Sequence, residues 1–105
     1  MKKERIPERI NTNLNVKYFC CNELKSGIIT NLSENDMYMK TNPCCPVNTI
    51  FEILIPSEDK ILKVSVKIMR ISKEGNDYVG MGLKLLGQTE KYLNFVKKLN
   101  PTLAN

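Results

Sequence analysis

The sequence predicts a small, all-β-dominated domain: an antiparallel β-barrel of six strands followed by one C-terminal α-helix. Apolar and polar residues alternate with period two over the first four fifths of the chain, and the period then changes to that of a helix. Polar turn sequences separate the alternating segments. A chain of 105 residues suits one domain. Closing the sheet into a barrel would remove the exposed edges that an open six-stranded sheet leaves.

Six segments carry the alternating pattern, and turn-forming residues bound each of them. In the second segment, alternation predicts that Ile28, Thr30 and Leu32 share one face and that Asn31 lies on the other. In the fifth, the alternation shifts phase at Met69, which predicts a β-bulge or a bend. The predicted strands cover residues 14–19, 26–32, 37–40, 48–55, 61–71 and 79–85.

The pattern after the last strand is helical. An apolar stripe at the spacing of an amphipathic helix runs from Tyr92 through Phe95 to Leu99. Thr89 suits the N-cap, because its hydroxyl can accept a hydrogen bond from an N–H of the first turn. Pro101 cannot continue a helix. We expect this helix to pack on the sheet and to cap or flank the barrel.

Composition limits the classes of function that we expect for this chain. The chain has 16 Lys and Arg against 11 Asp and Glu, a net charge of +5, which favours anionic partners. It contains no histidine, the commonest general base near neutral pH, and no nucleophile has an identifiable base, so we expect no enzymatic activity. No apolar run approaches the roughly 20 residues of a membrane helix. No secretory signal follows the charged start, so we expect a cytoplasmic protein without membrane insertion.

Four cysteines form two adjacent pairs, Cys20-Cys21 and Cys44-Cys45. Metal sites typically use spaced pairs such as C-x-x-C, in which a tight turn brings both sulfurs to one ion. Neighbouring residues of a strand instead point to opposite faces. Cytosolic disulfides are uncommon. We therefore expect no metal site and four reduced, partly buried thiols.

The three parts of the domain are a basic N-terminal arm (residues 1–13), the barrel (14–87) and the C-terminal helix and tail (88–105). The arm carries the first candidate binding residues, Arg5 and Arg9. Pro7 lies between them and disfavours a helix, so the arm is expected to be extended or bent. A guanidinium can bind a phosphate bidentately, read the O6 and N7 edge of guanine, or stack on its ring. The two arginines therefore predict binding to phosphates and guanine.

A second group of candidates follows the second predicted strand. Alternation places Asn31 and Ser33 on one outer face, opposite Leu32, where two small polar groups can pair with base edges. Asn, Ser and Asp are also common turn residues that bond their own backbone. The residues from Asn31 to Asp36 leave both interpretations open.

Together the two segments resemble the motifs of the PilZ domain family, which are R-x-x-x-R near the start and D/N-x-S-x-x-G at a later strand end. Residues 5–9 (RIPER) fit the first motif in full. Asn31 and Ser33 fit the second, and Asp36 stands where the family has glycine. Residues 78–85 (YVGMGLKL) are similar to the last strand of that family, so the similarity covers nearly the whole chain.

The resemblance implies a PilZ-type barrel in a bacterial signalling protein that binds the second messenger cyclic di-GMP and needs no cofactor. Arg5 and Arg9 would then hold phosphates and guanine edges. Asn31 and Ser33 would contact a guanine on the barrel surface, and Asp36 would belong to the same set of ligand-binding residues. The implied output is a change in arm position that alters binding to an effector protein.

Two alternatives to this function stay open. The first is a degenerate PilZ-like interaction module that no longer binds the nucleotide, because the carboxylate of Asp36 would repel a phosphate. The second is a small barrel that binds nucleic acid through stacking residues such as Tyr18, Tyr38 and Tyr78. Aromatic residues make up 7% of the chain and mostly fit strand cores, so nucleic-acid binding is not expected.

Overall fold

The structure, a computed structural model, describes residues 9–43 and 45–99. Six antiparallel strands close into a barrel in the order β1-β2-β3-β6-β5-β4, with β4 returning to β1, and one helix follows. The predicted fold class is confirmed. The elements are β1 (Ile10–Cys20), β2 (Glu23–Leu32), β3 (Asp36–Lys40), β4 (Ile50–Ser57), β5 (Lys60–Glu74), β6 (Asp77–Leu85) and α1 (Glu90–Leu99).

One connection crosses the barrel. β3 and β4 lie on opposite sides of the closed sheet, so residues 41–49 must pass over one barrel end; we call them the crossing segment. β1 pairs with β2 from Ile10 opposite Leu32 to Cys20 opposite Glu23, and it closes the barrel against β4 over residues 17–19. The end with the start of β1 and the β2–β3 turn is called the arginine end here. The end with the β1–β2 turn and the crossing segment is the cysteine end.

The barrel interior is filled by the inward side chains of all six strands. In β4, for example, Phe51, Ile53 and Ile55 are buried while Ile50 and Glu52 are exposed. Burying a large aliphatic or aromatic side chain stabilises a fold by about 1.5–3 kcal/mol, so these contacts are the main source of stability. The interior contains Val16, Tyr18, Ile29, Leu32, Met37, Met39, Phe51, Ile53, Ile55, Val64, Val66, Ile68, Met81, Leu83 and Leu85.

A β-bulge in β2 changes which of its side chains face inward. The pairing of β2 with β3 shifts between Ile29 and Asn31, which leaves Thr30 as the extra residue. Ile29 and Leu32 are consequently both fully buried, and Ile28 is 38% exposed. The prediction that Ile28 shares a face with Leu32 is therefore wrong, because it assumed unbroken alternation.

Two further observations concern strand phase and strand boundaries. The pairing of β5 with β6 shifts between Ile68 and Arg70, which confirms the change of phase predicted at Met69. β1 begins at Ile10 instead of Leu14, because Ile10 and Asn11 already pair with Leu32 and Asn31 of β2, ahead of a shift of register that precedes Leu14. The part of the arm that precedes the barrel is shorter than the sequence indicates.

The helix α1 lies at the arginine end. The hydroxyl of Thr89 accepts a hydrogen bond from the N–H of Tyr92 at 3.1 Å, which confirms the predicted N-cap. Tyr92, Phe95 and Val96 are buried against the barrel; Pro101 lies outside the described residues. Across residues 9–43 and 45–99, no helix combines the length and the apolar character that crossing a membrane requires.

The cysteine end departs from the sequence prediction. Cys20 ends β1, and a disulfide joins it to Cys45 in the crossing segment, so the expectation of reduced thiols is wrong for this pair. Cys21 and Asn22 both have a positive φ, 55° and 62°. This backbone reverses the chain within two residues, and the alternation of a strand therefore does not apply to Cys21. Cys44 lies outside the described residues.

Candidate functional site

A groove of about 570 Å³ lies on the outer surface of the barrel towards the arginine end. The outward faces of β3, β6 and β5 line it, and Arg9 borders it just before β1 begins. Its size falls within the range of small-molecule sites, roughly 300–1,000 Å³. The polar and small residues along it are Arg9, Asn31, Asn35, Asp36, Tyr38, Arg70, Gly82 and Lys84.

Arg9 is held at the edge of this groove by two side chains of the second motif. Its Nε and Nη2 donate hydrogen bonds to Oδ1 of Asn31, at 3.1 and 2.6 Å. Its Nη1 forms an ion pair with Oδ1 of Asp36. Of the five residues predicted from the sequence, the structure thus brings Arg9, Asn31 and Asp36 together at the edge of the groove, while Arg5 lies outside the described residues.

Asp36 acts at this site through its charge. It is the first residue of β3 and is not among the residues with positive φ, so its backbone does not need the conformational freedom of glycine. Its carboxylate pairs with the guanidinium of Arg9, and the two side chains are 47% and 48% exposed. An anionic ligand that binds Arg9 must therefore compete with Asp36.

Ser33 does not share an outer face with Asn31. It follows the bulge and is only 1% exposed, and its hydroxyl is used within the β2–β3 turn. That hydroxyl donates to Oδ1 of Asp36 at 3.0 Å and accepts from the N–H groups of Asn35 and Asp36 at 3.1 and 3.2 Å. The turn interpretation of this segment is correct for Ser33, which positions Asp36.

Arg70 is a groove residue that the sequence analysis missed. Its guanidinium lies over the ring of Tyr38, with 5.9 Å from Cζ to the ring centroid, which suits a cation–π contact. Gly82 lies between them on β6, opposite both Tyr38 and Arg70. A Cβ at Gly82 would lie 3.1 Å from Cγ of Arg70, so glycine lets this side chain lie flat on the sheet. The phase change at Met69 was the available signal, because it turns the next residue outward.

The β2–β3 turn is connected to the helix through Tyr92. This side chain is fully buried, and its hydroxyl donates to the carbonyl oxygen of Ser33 at 2.6 Å. Burial raises the pKa of Tyr92 far above its ordinary value, and the negative charges of Asp36 and Glu34 raise it further. The phenol consequently stays protonated and remains a donor to the turn that carries Asp36.

No protein-family model matches the sequence, and no curated protein matches it in sequence. Solved structures match the fold. The PilZ domain of YcgR from Escherichia coli with cyclic di-GMP superposes with a TM-score of 0.73 at 12% identity, covering 97% of this chain and 92% of that one. The chain has a PilZ-type fold.

Larger PilZ-type structures match over part of their length. The inhibitor of motility MotI/DgrA from Bacillus subtilis gives a TM-score of 0.74 at 13% identity and covers 99% of this chain and 53% of that one. The MrkH–cyclic di-GMP complex of K. pneumonia gives 0.73 at 9% identity, covering 98% and 53%. This chain therefore spans about half the length of these two neighbours. The PilZ-type barrel is the part that they share with it.

Proposed function

We propose that this chain is a cyclic di-GMP-binding adaptor domain that changes its binding to an effector protein when the nucleotide binds. The observation that best supports this function is the cluster of Arg9, Asn31 and Asp36 at the edge of a groove that also contains Arg70 and Lys84. Three cations around one groove favour a ligand with more than one negative charge. Neighbours of the same fold were solved with cyclic di-GMP.

Each polar residue of the groove has a role in this proposal. Arg9 exchanges the carboxylate of Asp36 for a phosphate, and Arg5 of the arm binds a phosphate or a guanine edge of the same ligand. Asn31, released from Arg9, offers its amide to the edge of a guanine. Arg70 provides a planar guanidinium for stacking on a base or for a second phosphate. Ser33 acts from inside the turn by positioning Asp36.

The connection to the helix suggests how binding would alter a partner surface. Asp36 accepts hydrogen bonds from both Arg9 and Ser33, and the carbonyl of Ser33 is held by Tyr92 of α1. Withdrawing Arg9 from Asp36 changes the charge balance of this turn and the direction of the arm. An effector protein that contacts the arm or the turn would distinguish the two states, so the domain acts as an adaptor and not as an enzyme.

A second candidate function rests on the same ion pair. The carboxylate of Asp36 neutralises Arg9 through a contact within the chain. A domain with this built-in counter-ion can serve as a PilZ-type interaction module that no longer binds the nucleotide. Its partner would bind whether or not cyclic di-GMP is present.

Calorimetric titration with cyclic di-GMP separates the two functions, with cyclic di-AMP and GMP as control ligands. We expect saturable binding that is selective for cyclic di-GMP. Arg9→Ala and Arg5→Ala should each weaken it by about tenfold or more, because a hydrogen bond to a charged group is worth about 1.5–3 kcal/mol. Lys63→Ala, which removes an exposed cation of β5 outside the groove, is the matched control and should leave the affinity unchanged. Absence of binding at any practical concentration would favour the interaction module.

A further inference from the structure

A second group of reactive side chains lies at the cysteine end, away from the groove. Cys20 ends β1, Cys21 begins the β1–β2 turn, and Cys45 lies in the crossing segment. The sulfur atoms of all three lie within 4.8 Å of one another. Cys45 Sγ is bonded to Cys20 Sγ and lies 2.7 Å from Cys21 Sγ. Two separate parts of the chain thus converge on one sulfur cluster.

The backbone of the turn explains how two adjacent cysteines reach the same point. Cys21 and Asn22 both adopt the left-handed region, so the side chain of Cys21 returns towards the barrel end instead of pointing away from Cys20. Asn, Asp and Gly are the residues that favour such a turn. Cysteine is not favoured there by conformation, and residues held in unfavourable backbone regions are concentrated at functional sites.

The spacing of the three sulfurs suits a thiolate metal site. Zn²⁺ binds thiolates tetrahedrally at about 2.3 Å, which places neighbouring sulfurs about 3.8 Å apart, and the three sulfurs of this cluster lie within 4.8 Å of one another. A sulfur can form a disulfide with only one other cysteine, whereas one metal ion binds three thiolates together. The Cα atoms of Cys20 and Cys45 are 7.1 Å apart, beyond the about 4.4–6.8 Å usual for disulfides, and an intervening ion accommodates this separation.

We propose that, when the disulfide is reduced, Cys20, Cys21 and Cys45 bind a thiophilic divalent cation, with Zn²⁺ as the metal that fits this ligand set. A dithiol reductant transfers two electrons and two protons to the Cys20–Cys45 bond and is itself oxidised to a disulfide. Binding of the metal then releases the three thiol protons, because thiolates are the ligands. Cys20 and Cys45 are each 4% exposed and Cys21 is exposed, so the ion enters from the side of the turn.

The metal site and the nucleotide groove are separate. Ile10 and Cys20 are the two ends of an 11-residue strand, about 33 Å apart along it. Bound metal would tie the β1–β2 turn to the crossing segment and stabilise the barrel without contacting Arg9. Loss of metal binding therefore does not imply loss of ligand binding at the groove, and the reverse also holds.

Co²⁺ titration of the full chain, reduced with a phosphine in the absence of oxygen, tests this site. We expect one Co²⁺ per chain, with a thiolate-to-metal charge-transfer band and the visible bands of tetrahedral cobalt, both lost when Zn²⁺ displaces it. The thermal midpoint should rise with Zn²⁺ concentration. The oxidised chain should bind neither ion. Absence of the charge-transfer band from the reduced chain would overturn the proposal.

Cys21→Ser is the decisive variant, because Cys21 is in an exposed turn and its replacement leaves the core intact. Outer-shell changes cost about 10- to 100-fold in metal affinity, so loss of a direct ligand should weaken Co²⁺ binding by at least that factor. Circular dichroism checks the fold of the variant. Asn22→Gly is the matched control, because it changes the neighbouring residue of the same turn without removing a thiol and glycine favours this backbone conformation; it should retain the charge-transfer band. Unchanged binding by Cys21→Ser, or loss of binding in Asn22→Gly, would contradict the assignment of these three sulfurs as the site.

Discussion

Replacing Asp36 by asparagine tests whether its carboxylate limits ligand binding. The amide oxygen of asparagine can still accept the hydroxyl of Ser33, so the turn should persist, while the ion pair with Arg9 is removed. Half-exposed pairs such as this one, 48% and 47% exposed, are worth about 0.2–1 kcal/mol. Repulsion between the carboxylate and a phosphate about 4 Å away adds about 1 kcal/mol in water.

The two contributions together amount to about 1–2 kcal/mol, or about a fivefold to thirtyfold lower Kd for cyclic di-GMP in Asp36→Asn. Calorimetry at low and high salt measures the change, and the gain should shrink as salt screens both charges. Glu34→Gln removes the same charge from an exposed residue of the same turn and is the matched control. The reasoning is refuted if Asp36→Asn binds no better than wild type, or if Glu34→Gln gives an equal gain.

Three further predictions concern the groove and its support. Tyr92→Phe should lower the free energy of unfolding by about 1–3 kcal/mol in urea, because it leaves the buried carbonyl of Ser33 without its donor. Because burial raises the pKa of Tyr92, the stabilisation that its protonated hydroxyl gives the fold is complete below pH about 10. Above that pH the free energy of unfolding should fall by up to about 1.4 kcal/mol per pH unit. An equal fall in Tyr92→Phe would contradict this. Arg70→Ala should weaken cyclic di-GMP binding by about tenfold at unchanged thermal stability, and an unaltered Kd would remove Arg70 from the site. Gly80→Ala should destabilise the barrel by about 1–3 kcal/mol in urea denaturation, since its Cβ would lie 2.7 Å from a backbone oxygen of β3. Gly82→Ala should cost less in the same assay, because the three atoms nearest to its Cβ belong to the flexible side chain of Arg70.

The sequence was sufficient for the barrel because alternation and burial agree in most strands. The pattern of Phe51, Ile53 and Ile55 predicts their common face, and the structure buries all three. The sequence-based assignment failed at Ile28, because one extra residue in β2 reverses which of its side chains face inward. A bulge of this kind is set by pairing with a distant strand, and the hydrophobic pattern of β2 alone contains no sign of it.

The sequence identified those residues of the candidate site that belong to motifs, but not those that tertiary structure brings into it. Arg9, Asn31 and Asp36 are recognisable as motif residues, and the structure brings them into contact. Arg70 depends on a bulge in β5 and on glycine in the neighbouring β6, so its place in the groove follows only from tertiary structure. The convergence of Cys20 and Cys45 likewise requires the crossing segment to return to the end of β1.

The short contact between β1 and β4 has a consequence for how the barrel opens. These strands pair over residues 17–19, whereas β4 pairs with β5 from Ile50 to Ser57. A closed sheet separates most readily where the fewest hydrogen bonds must break, so amide hydrogens along this seam should exchange with solvent before those of the β4–β5 ladder. Arg9 directly precedes β1. Transient separation of β1 from β4 would therefore move the guanidinium together with the strand, which couples the groove at the arginine end to the contact between β1 and β4.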